Sequence, residues 1–124
     1  MSKLTQGHVG IFVDDLSVSA KFYQEVLGGS LQEKLVLAKD LIIQHVLFGD
    51  FDIELVKQAG MVPTCDGPVN HLCFHANDAK AEYDRIVSGG YEIDEELEDN
   101  DDVAYFFFRG PNKERIEIMQ RKRN

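Results

Sequence analysis

A chain of 124 residues has room for one domain, and 44% hydrophobic residues are enough to bury a single core. Its formal charge of −9 repels phosphate backbones and anionic lipid, which makes nucleic acid and membrane surfaces poor partners. Lys113, Arg115, Arg121, Lys122 and Arg123 near the end are too few to reverse that sign.

Residues 7–13 are apolar and β-branched and read as a first strand, followed at once by Asp14 and Asp15, either of which can cap a helix. Leu16, Ala20, Tyr23 and Leu27 recur at helical spacing, so the spacing predicts a helix over 16–27 that Gly28 and Gly29 stop. Strand-like runs follow at 31–37, Leu41–Phe48 and 51–56, with Gly49 and Asp50 as the tight turn between the last two. Residues 57–68 carry Gly60, Pro63, Gly67 and Pro68 and resist regular structure. The order then repeats: a strand at 69–76, an Asp78 cap, a helix over Ala79–Ser88, a Gly89-Gly90 stop, and strands at 91–97, 103–108 and 115–120. The acidic crowd within 92–102 reads as a solvated loop or edge. We therefore expect one domain over residues 1–124, built as module one 5–58, linker 59–68 and module two 69–121, of class α+β with two tandem βαβββ modules. No charged-then-apolar leader opens the chain, and Cys65 and Cys73 lack a CxxC partner; the expectation is a cytoplasmic protein with reduced thiols.

Polar residues inside the apolar strands sharpen the repeat. His71 follows His8 by 63 positions, and Glu117 follows Glu54 by the same 63. Taken singly, each glutamate alternates with apolar neighbours as on any half-wet strand, and each histidine reads as an ordinary boundary residue. Jointly, two His and two Glu at one offset, in a chain with 4 His, are a ligand set for a borderline or hard divalent ion such as Zn, Ni, Co, Mn or Fe. His45 has no counterpart in the second half and reads as structural or at the surface. His75 lies four residues beyond His71, roughly 13 Å along a strand, which suits a pocket wall better than ligation.

The text His8-Val9-Gly10-Ile11-Phe12-Val13-Asp14-Asp15-Leu16, Phe22-Tyr23 to Leu27-Gly28, Ile53-Glu54-Leu55, Asn70-His71-Leu72, Phe107-Phe108-Arg109-Gly110-Pro111 and Arg115-Ile116-Glu117-Ile118 resembles the vicinal oxygen chelate superfamily. That group contains glyoxalase I, extradiol dioxygenases, methylmalonyl-CoA epimerase, and the fosfomycin and bleomycin resistance proteins. The resemblance implies two βαβββ modules whose curved mixed sheets surround one metal ion, with His8, Glu54, His71 and Glu117 as its ligands. The His, Glu, His, Glu pattern is similar to that of glyoxalase I (lactoylglutathione lyase). It implies proton transfer through a metal-stabilised enediolate on a small α-oxo or hemithioacetal-like substrate, with Glu117 as the base and Glu54 as its pseudo-symmetric partner.

Phe12, His75, Phe106, Phe108 and Met119 are candidates for the substrate pocket, with core packing as the alternative for each. Relatives of this size pair as two-fold dimers, so the resemblance also implies a homodimer with the metal site at or near its interface. Phe12 stands where bacterial glyoxalase I enzymes carry an arginine that helps hold glutathione, which leaves the thiol open. The alternatives are a ligand-sequestering protein of the bleomycin-binding type and an epimerase of the methylmalonyl-CoA type.

Overall fold

The computed structural model describes residues 6–61, 63 and 67–122. The chain divides into two compact units, Met1–Pro63 and Thr64–Asn124. Each is an α+β assembly with one mixed sheet and one helical segment on it. Cys65 lies outside the described residues. No helix among the described residues is long and apolar enough to cross a membrane.

In the first unit, β1 (Val9–Phe12) leads to α1 (Leu16–Lys21), which Asp15 caps by accepting from the Val18 N–H. The helix then widens into a π turn over Phe22–Val26, and Phe22 and Tyr23 are both buried, their rings edge to face at 5.1 Å. Gly28 ends it with φ of 82°, and Gly29 lies against Val46 and Phe48. The strand expected over 31–37 is broken into β2 (Ser30–Leu31) and β3 (Leu35–Ala38): the Gln32 N–H still donates to the His45 carbonyl on the neighbouring strand, but its own carbonyl accepts from the buried Gln44 side chain instead of a backbone N–H. β4 (Leu41–Phe48) and β5 (Phe51–Gln58) form a hairpin around Gly49-Asp50, and β5 takes in Lys57 and Gln58, which the glycines and prolines beyond them do not prevent. The order is β1-β5-β4-β2, with β3 also on β4. Ile53, Leu55 and Val46 point to the helical side and are fully buried, each contributing about 1.5–3 kcal/mol. Asp52, Glu54 and His45 are on the opposite face, since side chains alternate along a strand.

The second unit repeats this plan with β6 (Leu72–His75), α2 (Ala79–Ser88), β7 (Ile93–Asp99), β8 (Val103–Arg109) and β9 (Arg115–Arg121), in the order β6-β9-β8-β7. Asp78 caps α2 by accepting from the Ala81 N–H. In each unit the first strand runs parallel to the last, β1 beside β5 and β6 beside β9. The acidic stretch forms the exposed edge strand β7, where unpaired backbone groups are masked by charge, and it is tied inward by Asp94–Arg109, Asp94–Arg115 and Lys122–Asp99 ion pairs.

Candidate functional site

Both first histidines sit one residue before their strands rather than on them, His8 ahead of Val9 and His71 ahead of Leu72. Each nevertheless meets the glutamate of its own unit. His8 Nε2 is 3.5 Å from Glu54 Oε2, and His71 Nε2 is 3.2 Å from Glu117 Oε1. The carboxylates differ in burial, Glu117 having 9% of its side chain exposed and Glu54 19%.

Around Glu54 there is a second histidine. His45, expected to be structural or at the surface, lies directly across the hairpin from Glu54, with its Nε2 3.5 Å from the same Oε2. Its Nδ1 is 2.8 Å from Asp52 Oδ1, and its ring stands edge-on to His8 at 5.3 Å between centroids. An open cavity of about 660 Å³ in this unit is lined by His8, Asp52, Phe48 and Phe51 among others. The turn gave the clue to His45: a two-residue turn at Gly49-Asp50 pairs 48 with 51 and therefore 45 with 54.

Around Glu117 the neighbours are different. Cys73 pairs with it across β6 and β9, and burial first, then the charge of Glu117 and a hydrogen bond to it, push the thiol up to about 11 from 9.0. His71 Nδ1 is 2.8 Å from Asn70 Oδ1, and Arg115 Nη1 donates to that oxygen at 3.0 Å. The Arg115 guanidinium lies 3.8 Å over the Phe107 ring, which meets His71 edge-on at 5.1 Å. Arg115 Nε also donates to Asp94, and this bond, against a smaller opposing effect of burial and with the help of the charges of Arg109 and Arg115, holds the Asp94 carboxyl below its usual range.

The five pocket candidates separate by strand parity. Phe106 and Phe108 are wholly buried on the helical side of the second sheet, edge-on to Tyr83 and Tyr91, and offer no surface to a substrate. They are core, and Phe107, between them, is the aromatic on the Glu117 face. Met119 and His75 share that face, paired across β9 and β6. Phe12 is 42% exposed and lies on the Glu54 face of β1, two residues beyond Gly10.

The donors suit a cation. An imidazole whose Nδ1 donates to an oxygen keeps Nε2 for a second partner, and at His71 and His45 that nitrogen is turned toward a carboxylate oxygen. Two acceptors facing each other are favourable only with a proton or a metal ion between them. Among the described residues no three His, Cys, Asp or Glu side chains are gathered closely enough to hold a metal ion, so each His–Glu pair is a partial set.

The profile of the Glyoxalase/Bleomycin resistance protein/Dioxygenase superfamily matches residues 5–118. The chain belongs to this superfamily. It is also 32% identical over 120 residues to the uncharacterized protein YwbC of Bacillus subtilis (strain 168), covering 92% of this chain and 95% of the relative. Among solved structures it is similar to the trypanothione-dependent glyoxalase I of Leishmania major, with TM-score 0.78 and 26% identity over 91% of this chain and 84% of that one. The fosfomycin resistance protein FosX of Listeria monocytogenes shares the fold, with TM-score 0.77 and 15% identity over 96% and 94% of the two chains. These neighbours make the fold a glyoxalase-like one, as the ordered motifs of the sequence implied.

Proposed function

We propose that the chain is a metal-dependent lyase or isomerase of the glyoxalase I type, acting as a cytoplasmic homodimer on a small α-oxo or hemithioacetal-like substrate. The observation that carries this is the twin His–Glu contact, His8 with Glu54 and His71 with Glu117, at one sequence offset and with Nε2 turned to the carboxylate each time. We assign these four residues as ligands of one divalent ion, with the site at or near the dimer interface. When bound, such an ion supplies Lewis-acid polarisation of two neighbouring substrate oxygens.

The rest is work for the chain itself. Glu117, almost wholly withdrawn from water, is the group placed to take a proton from the substrate carbon, and Glu54 is its partner. Phe12, Met119 and His75 stand on the same faces as these carboxylates and flank the substrate. Phe12 brings no cation for a glutathione carboxylate, and the similarity to an enzyme described as trypanothione-dependent supports a thiol other than glutathione.

Elemental analysis with Zn²⁺ titration tests the reading. About one ion per His2Glu2 site, lost on chelation and weakened in Glu54→Gln and His71→Ala, is expected. Unchanged affinity in both variants would overturn the ligand assignment. Ligand binding indifferent to chelation would favour a sequestering protein of the bleomycin-binding type instead.

A further inference from the structure

We infer that Arg115 and Asn70 are positioning residues that hold a proton on His71 Nδ1 and turn its Nε2 toward Glu117. The inference deepens the metal-binding reading above and rests on that reading only for its affinity test. A guanidinium has N–H donors and no acceptor, so the Asn70 atom that Arg115 Nη1 meets at 3.0 Å is the carbonyl oxygen; this fixes an amide orientation that an isolated side chain leaves open. The same Oδ1 lies 2.8 Å from His71 Nδ1. A carbonyl oxygen only accepts, so Nδ1 must carry the hydrogen. Nε2 is then left to face Glu117, 3.2 Å from its Oε1.

Arg115 is itself held tightly enough to impose this. Its Nε donates to Asp94 at 2.6 Å, its Nη2 pairs with Glu95, and its plane lies on Phe107, with 16% of the side chain exposed. Phe107 touches His71 as well, so ring orientation and tautomer are set from one cluster. The first unit has no copy of the device. Gly7 and Asp52 stand 63 positions before Asn70 and Arg115; Gly7 has no side chain, and Asp52 turns to His45 instead.

Long-range ¹H–¹⁵N spectra of histidine-labelled, metal-free full-length protein read the tautomer directly. His71 of the parent is expected to show a protonated Nδ1. Arg115→Met and Asn70→Leu should give a mixed tautomer and a Zn²⁺ affinity about 10–100-fold weaker. Asn70→Asp, which keeps an oxygen acceptor, should retain the parent tautomer. Asn70 is exposed and precedes β6, so its variants remain informative even if Arg115→Met fails to fold. An unprotonated Nδ1 in the parent, or parent-like protonation of Nδ1 in Asn70→Leu, overturns the inference. A tautomer shift without any Zn²⁺ binding overturns the metal reading and leaves the positioning of His71 standing.

Discussion

Gly10 and Cys73 hold the same place in the two units, each paired across parallel strands with the carboxylate of its sheet, Gly10 with Glu54 and Cys73 with Glu117. A Cβ at Gly10 would lie 3.5 Å from Glu54 Oε1, so the first unit leaves open the room that the second fills with a thiol. The two glutamates thus share a register and differ in what presses on them.

That difference makes Cys73 a slow nucleophile. With its pKa raised to about 11 from 9.0, by burial before the effects of Glu117, the thiolate fraction near pH 8 is about 100-fold below that of an unperturbed thiol. Iodoacetamide should therefore label the Cys73 peptide of metal-free protein slowly, and Glu117→Gln, which removes the carboxylate charge, should speed it. The sign for stability follows: the native state holds this proton more tightly, so the stabilisation is complete below about pH 9 and is lost as pH rises to about 11. Free-thiol reactivity at Cys73 in the parent, read by peptide mass spectrometry, would show that the thiol is not buried against Glu117 in solution.

Two glycines that look alike in the sequence should respond oppositely to a methyl group. At Gly29 an added Cβ would meet Val46 and come within 2.7 Å of Phe48 Cζ, both on β4, so either the helix end or the strand must shift. Gly29→Ala is expected to cost about 1–3 kcal/mol by overpacking. Gly10→Ala meets only the ordinary 3.5 Å contact with Glu54 and should stay within about 0.5 kcal/mol. Urea unfolding of both variants decides it, and equal costs would mean that the packing of Gly29 on β4 is wrong.

The element order was legible because each break has its own chemistry: Asp15 and Asp78 cap helices, Gly28 stops one, and Gly49-Asp50 turns a hairpin. The His–Glu pairs were legible because a duplicated unit repeats its polar exceptions. What the sequence hid depends on pairing between strands. His45 has no repeat partner, and only the hairpin register puts it opposite Glu54. Three consecutive phenylalanines, Phe106 to Phe108, give no alternation to read, so the sequence does not separate the two that face the helix from the one that faces His71. The sequence shows Arg115 only as one of the basic residues near the end, because its role depends on Asn70 and Asp94 from other strands or loops.

The two carboxylates should fail differently when each is made an amide. Glutamine can still coordinate through its oxygen but cannot accept a proton, so Glu→Gln separates the base from a ligand. Glu117 is the more buried, with one imidazole and a thiol against it; Glu54 is wetter and faces both His8 and His45. A base is best served by the drier position, whereas two imidazoles around one carboxylate oxygen suit a holding role. We expect Glu117→Gln to abolish solvent deuterium uptake at the substrate carbon, by about 100-fold or more, with the unfolding midpoint little changed. Glu54→Gln should retain most of the exchange and show its loss in metal affinity. Deuterium incorporation into turned-over substrate, compared for the two variants at saturating metal, is the deciding measurement, and equal loss would mean that neither carboxylate alone is the base.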